Sequence, residues 1–360
     1  MKIIVLANCS GGVYRFRSDL IKTLMASHSV VVLTPNSEHF RDLCDLGCEV
    51  VETPMERRSI NPVNDFKLLR QYYSFLCREK NSIVLTYTIK PNVYGGLVCR
   101  LLRIPYAANV TGIGSTFQRK GILRMLVKFL YKIALAGASV VFFENSGNRD
   151  LFIENNIVKE EQCWLLNGAG VNLDYYSKSV YPLQDNPTHF LFIGRIMREK
   201  GFDELLKAAE RLVGEGYNCT LDVLGYFEED YKTIIEEYTH TDWFRYHGNQ
   251  VDVRPFIARS HCFVLPSWHE GMANTNLECA AMGRPVITSN IHGCREAVIE
   301  NISGILCEPQ DCESLYEAMR AFCELPNESR KKMGEAGRKH MEDIFDKKKV
   351  VAETLKGLGL

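Results

Sequence analysis

What most constrains this chain is how its apolar residues are spaced. Short runs rich in Val, Ile and Phe fall at 2–8, 30–35, 48–54, 82–88, 105–110, 139–145 and 163–168. Longer stretches of helical pattern lie between most of them, for example 16–27, 64–80 and 94–102. A strand that is apolar on every residue has no face for water. It must sit in a parallel sheet with helices on both sides. The pattern stops at 177–188, SKSVYPLQDNPT, which has two prolines and no periodicity and reads as a linker. It restarts at 189–196, 219–227, 244–249, 261–267, 285–290 and 304–309, with helices such as 203–215 and 314–323 between. The expectation is α/β, with two doubly wound domains at 1–180 and 181–345. A last helical stretch, 329–356, brings residues 346–360 back to the first domain. A length of 360 residues suits two such domains.

Composition removes several function classes. Hydrophobic residues at 46% and charged residues at 24% describe an ordinary globular chain. A formal net charge of −1 gives no global attraction to nucleic acid. The 13 cysteines include no Cys-x-x-Cys pair, so zinc and redox spacings are absent and the thiols read as small buried groups in a reducing cytoplasm. The opening MKIIVLANCSGG is too short in its apolar run for a signal peptide and reads as a first strand. With no apolar run of about 18 residues, a transmembrane helix is not expected.

Open α/β sheets bind ligands at the carboxyl ends of their strands, where helix N-termini attract phosphate. The segment PSWHEGMANTNLECAAMGRPVI (266–287) has that form: a strand end, a polar turn, a helix of small residues, then Gly-Arg-Pro and another strand. Gly271, Met272, Ala273 and Asn274 would offer backbone N–H groups to a diphosphate, and Glu278 can accept hydrogen bonds from a ribose diol. A second segment, FIGRIMREKGFDELLKAA (192–209), runs from a strand through Gly194 and Arg195 to Lys200. Arginine binds phosphate with two parallel bonds, and lysine adds a point charge. Solvated charge at a helix start is the plainer reading of the same residues.

The Glu270-x7-Glu278 spacing, with its flanks and its place late in the second half, resembles glycosyltransferase family 4. That family has the GT-B fold, two Rossmann-like domains facing each other across a cleft. The resemblance implies that Glu278 grips the nucleotide ribose and that Glu270 and its loop hold the transferred sugar. It implies that Arg195 and Lys200 neutralise the departing diphosphate, and that Gly11 and Gly12 form a turn between the first strand and helix. It also places Tyr226, His247 and Gly248 beside the base. Two other glycine clusters, at 109–117 and 167–172, lack the third glycine of a dinucleotide fingerprint and do not follow the first strand.

The segment 86–117, TYTIKPNVYGGLVCRLLRIPYAANVTGIGSTF, is similar to the bacterial subgroup that extends undecaprenyl-diphosphate-linked sugars, including N-acetylhexosaminyltransferases. Lys90 and Thr111 are its acceptor-side candidates. Thr111 stands where many family members carry a histidine, so no catalytic histidine is assigned. In 117–138, Arg119 is followed by Lys120, Arg124, Lys128 and Lys132 at every fourth position, beside Leu123, Val127, Leu130 and Ala134. A basic amphipathic helix can rest on an anionic membrane or clamp a lipid diphosphate. A packed helix with a solvated lysine face is the alternative.

The functional expectation is a retaining transferase that moves a sugar, an N-acetylhexosamine by subgroup resemblance, from a UDP-sugar to a polyprenyl-diphosphate-linked saccharide. It would need no metal or other cofactor, since Asp-x-Asp is absent. It would act on surface glycan assembly (O-antigen, capsule or N-glycan), as a cytoplasmic protein peripheral on the inner face of the cell membrane. The alternatives are a UDP-sugar epimerase of the same fold, a transferase with a soluble acceptor, and a non-catalytic binding module.

Overall fold

The computed structural model describes residues 1–56, 61–113, 121–183 and 187–360. The chain divides into two compact units, Met1–Ala169 with Lys348–Leu360, and Gly170–Lys347.

Among the described residues the first unit holds a seven-stranded sheet in the order β3-β2-β1-β4-β5-β6-β7. Its strands are β1 (Lys2–Leu6), β2 (Ser29–Thr34), β3 (Glu49–Glu52), β4 (Ser82–Tyr87), β5 (Tyr106–Val110), β6 (Val140–Phe143) and β7 (Cys163–Leu165), all paired in parallel. Alternate residues of one strand serve opposite faces, as the two-residue period requires. Ile4 and Leu6 join Val31, Leu33 and Val84 under the helices Pro62–Leu76, Gly96–Leu102 and Ile122–Leu135. Ile3 and Val5 join Val30, Val32 and Leu85 on the other face, which helix Ser10–Met25 covers. The C-terminal helix Lys347–Leu358 packs Val351, Leu355 and Leu358 on that same face.

Among its described residues the second unit holds six strands in the order β10-β9-β8-β11-β12-β13. These are β8 (Thr188–Ile193), β9 (Cys219–Leu224), β10 (Phe244–Tyr246), β11 (Cys262–Leu265), β12 (Val286–Ser289) and β13 (Gly304–Cys307), again parallel. Both orders reverse direction once, between β1 and β4 and between β8 and β11. Such a reversal opens a crevice at the carboxyl ends of the two strands.

Every apolar run of the sequence became a strand, but several boundaries moved. The first helix begins at Ser10, so Gly11 and Gly12 lie in its first turn and not between strand and helix. Gly11 fits because a Cβ there would stand 3.2 Å from the Glu38 carbonyl oxygen. The expected 94–102 helix is preceded by a π turn, Pro91–Gly95. The long stretch at 329–356 is three pieces: Asn327–His340, a π turn Met341–Phe345, and the final helix. The break has a cause. Asp346 is extended and bridges Val171; the Val171 amide donates to Phe345 O (2.8 Å) and the Lys347 amide to Val171 O (3.0 Å). The passage between units therefore lies at 169–170, ahead of the proline-containing 177–188 segment that sequence suggested as the linker.

Residues 179–180 are bound into the second unit by Arg284, which is fully buried. Its guanidinium donates to Val180 O (2.7 Å), Ser179 Oγ (2.8 Å), Ala258 O (2.7 Å) and Ile257 O (3.0 Å). Burial pulls its pKa down to about 10, against the opposing pull of Tyr181 and Cys279, so it remains a cation at neutral pH. Arg284→Met keeps the volume but strands several buried carbonyls, each costing about 1–3 kcal/mol. We expect a loss of at least about 3 kcal/mol in urea unfolding of the second unit's transition.

Candidate active site

Arg195, Lys200 and Glu270, singled out in the second unit, lie past the ends of β8 and β11, the strands that flank its reversal. Arg195 and Lys200 follow β8; Glu270 follows β11. Two close backbone approaches force this meeting. Gly201 has φ +69°, and a Cβ on it would lie 2.1 Å from Pro266 O. Only glycine fits both the angle and the space. The Trp268 amide also donates to Glu199 O (3.0 Å), and His269 Nε2 faces Glu199 Oε2 at 3.4 Å. The turn Arg198–Lys200 and the 266–270 loop are thereby one body.

In that body Lys200 Nζ is ion-paired with Glu270 Oε1, the two side chains being 16% and 13% exposed. Ser267 Oγ donates to the same oxygen (2.8 Å). Burial alone would raise the Glu270 pKa. Lys200, Ser267 and nearby His269 outweigh it and hold the carboxyl below its ordinary value. Arg195 Nη1 stands 3.4 Å from Glu228 Oε2.

The loop after Glu270 is supported from behind. Gly293, at φ +89°, approaches so closely that a Cβ would be 2.7 Å from Gly271 O. Its carbonyl accepts from the Ala273 amide (2.7 Å), and Glu296 accepts from the Gly293 amide (2.7 Å). Met272 and Ala273 are buried. Helix Asn274–Ala281 begins at once, with no side chain capping its N-terminus. Glu278, one turn further on, is half-buried; burial first, and then the Glu278 charge, push the Tyr176 phenol pKa up.

The base-side candidates divide. Tyr226 is 44% exposed. Gly194 and Gly225 cross so tightly that a Cβ on Gly225 would meet Gly194 O at 1.8 Å. Gly248, at φ +66°, accepts from the Gly225 amide (2.9 Å). The His247 imidazole is committed to buried Asp222 (2.5 Å) and packs on Phe256, so this histidine braces the edge of the sheet.

In the first unit Lys90, an acceptor-side candidate, is partnered. Its ammonium is paired with Asp65 (2.7 Å), the two side chains 13% and 14% exposed, which ties the β4 end to helix Pro62–Leu76. Thr111 is half-buried at a bend after β5. Arg119 and Lys120 lie outside the described residues. Helix Ile122–Leu135 does not present a lysine stripe. Lys128 bonds to Asn155, Arg124 is half-buried, and Lys132 is exposed. The outward face carries Met125, Leu126 and Phe129, 72%, 48% and 59% exposed.

Three features at these sites carry no sequence motif. One is Tyr176, a phenol whose pKa burial and the Glu278 charge push up. Another is a buried Arg17–Glu144 pair beside Tyr87 at the carboxyl end of the first sheet. The third is Thr88, at φ +75° after β4, an angle uncommon for a β-branched residue; its buried hydroxyl has no partner among the described residues.

Residues 2–145 match the family model described as glycosyl transferase 4-like, and residues 177–340 match glycosyl transferases group 1. The chain belongs to glycosyltransferase family 4. This transferase is 27% identical over 348 residues, 90% of each chain, to a Campylobacter jejuni protein named N,N'-diacetylbacillosaminyl-diphospho-undecaprenol alpha-1,3-N-acetylgalactosaminyltransferase. It is 23% identical over 301 residues, 77% of its own length and 76% of the other, to an Escherichia coli UDP-Gal:alpha-D-GlcNAc-diphosphoundecaprenol alpha-1,3-galactosyltransferase. Among solved structures, Anabaena HepE in complex with UDP and glucose superposes with a TM-score of 0.81 at 16% identity, over 100% of this chain and 99% of that one. That likeness bears on the fold, which is GT-B.

The Lys200–Glu270 pair makes a testable claim on stability. Lys200→Met leaves a buried carboxylate without its cation, and we expect a loss of about 3 kcal/mol at pH 7. The depressed Glu270 pKa stabilises the wild type above the unfolded carboxyl range, and this is lost as pH falls through the folded value. In the variant, burial acts without Lys200, so Glu270 takes up its proton at higher pH. The gap between the two proteins in urea melts should therefore narrow steadily on acidification.

Proposed function

We propose that this protein transfers a sugar, with retention of configuration, from a UDP-sugar to an undecaprenyl-diphosphate-linked saccharide in bacterial surface glycan assembly. One observation carries the proposal. A cation-bearing turn and a carboxylate-bearing loop are locked together at the β8 and β11 ends, in a chain that matches over 90% of its length a transferase named for such an acceptor. The two relatives' names differ in the sugar moved and share the diphosphoundecaprenol. This supports a constant lipid diphosphate and a variable donor, and favours transfer over epimerisation.

In this reading the acceptor hydroxyl attacks the anomeric carbon on the face from which the diphosphate departs. The bond from that carbon to the diphosphate oxygen breaks, and the leaving phosphate takes the hydroxyl proton. The α-linkage of the donor is kept. The protein supplies position and charge. Arg195, Lys200 and the amides leading into helix Asn274–Ala281 neutralise the diphosphate, Glu270 orients the sugar, and Glu278 holds the ribose. Two cations suffice for that, so turnover needs no metal.

The test is incubation with a panel of UDP-sugars and undecaprenyl-diphosphate-linked mono- and disaccharides, read by mass spectrometry. We expect a lipid heavier by one sugar, undiminished in EDTA, with the rate down about 100-fold in Arg195→Ala. No mass gain with any donor would remove the lipid acceptor; loss of turnover in EDTA, restored by Mn²⁺, would overturn metal independence.

We further propose that the first unit docks on the inner face of the cell membrane. No helix of the described residues is long and apolar enough to cross a membrane. The apolar outer face of helix Ile122–Leu135 adjoins helix Gly96–Leu102, which adds exposed Leu101 and Arg100. Neither helix contains an acidic residue. An apolar edge with exposed Arg100 and Lys132 on the same two helices suits anionic headgroups. Sedimentation with phosphatidylglycerol vesicles should capture the protein, and Phe129→Glu should weaken capture about tenfold. Equal capture of both proteins would sink this face as the dock.

A further inference from the structure

Arg195 and Glu228 meet because the pairing of β8 with β9 outlasts both strands. Within the sheet Ile193 lies opposite Leu224, and beyond it Ile196 bridges Phe227 in the same register. The two chains stay together through the tight crossing of Gly194 and Gly225, where the Gly194 amide donates to Leu224 O (3.0 Å). Past it the Ile196 amide donates to Tyr226 O (2.9 Å), and Ile196 O accepts from the Glu228 amide (3.1 Å). Side chains along such a ribbon alternate between its faces. In this register Arg195 lies opposite Tyr226. Glu228, two residues further on, shares their face and stands diagonally across from Arg195. Phe227, between them, packs instead on Tyr246, with ring centroids 5.2 Å apart, and the Tyr246 hydroxyl donates to Gly225 O (2.9 Å). The ribbon that carries Glu228 is therefore held by its own backbone and propped from the next strand.

On this frame Arg195 Nη1 donates to Glu228 Oε2 at 3.4 Å. The two side chains are 29% and 19% exposed, so water screens the pair only in part. The contact uses one of the several N–H donors of the guanidinium and leaves the others for a ligand. Arginine grips phosphate through parallel N–H bonds, which demand an oriented group, and a freely rotating arginine loses rotamer entropy when a ligand fixes it. We propose that Glu228 is a positioning residue for the donor diphosphate: it holds one end of the Arg195 guanidinium, which binds the phosphates through its remaining N–H groups. The role rests on the reading of Arg195 as a diphosphate ligand. Glutamine at 228 would keep an acceptor oxygen in place; alanine would release the arginine.

The experiment is calorimetric titration of the full chain with UDP and with uridine, which has no phosphate. The proteins are wild type, Glu228→Gln, Glu228→Ala, Arg195→Ala and the double alanine variant. We expect Glu228→Ala to weaken UDP about fivefold, the Kd change of one lost hydrogen bond, and Glu228→Gln to stay within about twofold of wild type. Uridine should bind all of them alike, which also shows that the variants are folded. In the Arg195→Ala background the loss of Glu228 should cost nothing further, because its effect passes through the missing guanidinium. Equal weakening of UDP and uridine, or additive losses, would mean a merely structural glutamate and overturn the proposal. Unaltered or tighter UDP binding in Glu228→Ala would overturn it too, the latter by showing a carboxylate that opposes the diphosphate. So would a glutamine variant as weak as the alanine one. If Arg195→Ala itself binds UDP normally, the diphosphate reading fails, and the proposal with it. The two failures are distinguishable because Arg195→Ala reads the first alone.

Discussion

A carboxylate as buried as Glu270 cannot stand alone, and its ion pair with Lys200 is the interaction on which the second unit's site depends. The pair joins two stretches that are 70 residues apart in sequence. It can form because Gly201 lets the chain turn against the Pro266 carbonyl with no side chain between. Desolvation penalises the charged form of Glu270, and the lysine and serine opposite more than offset it. Neither loop would hold its present form without the other. The site is thus a property of two adjoining strand ends, and not of a single motif.

The same logic recurs at the C-terminal end of helix Asn274–Ala281. Arg284 and Arg338 each spend a guanidinium largely on backbone carbonyls, and both fasten the 173–180 segment to the neighbourhood of helix Asn274–Ala281. Planar, multivalent donors suit this task better than lysines, which offer one point of charge. The result is a helix whose N-terminal end faces a supported loop and whose C-terminal end is stapled. The side chain of Glu278 projects between those two ends.

Much of the fold was legible in the sequence because fully buried parallel strands leave a strong mark: uninterrupted Val, Ile and Phe runs such as 30–35 and 139–145. Boundaries set by tertiary contact were not. Nothing local separates the π turn Met341–Phe345 from the last helix; the break at Asp346 accompanies its pairing with Val171, far away in sequence. Of the site candidates, Arg195, Lys200, Glu270 and Glu278 were visible because strand-to-helix turns with polar residues are rare within so apolar a pattern. The partners of Lys90 and His247, namely Asp65 and Asp222, were invisible, since a charge on a loop reads the same whether solvated or tied to a distant carboxylate. Helix Ile122–Leu135 misled for a related reason. A stripe at every fourth residue drifts around the helix, so where the lysines point is decided by which apolar side the sheet buries. That choice turned Met125, Leu126 and Phe129 outward.

The bridge between Val171 and Asp346 has an implication for ancestry. The whole second unit, Gly170–Lys347, enters and leaves the rest of the chain through two residues that are hydrogen-bonded neighbours. It is built as an insert whose ends meet, the arrangement that tolerates being lifted out or exchanged. Recombination at two adjacent points of the fold would exchange one unit and leave both cores uncut. A chain organised this way can acquire a new second unit without rebuilding the first.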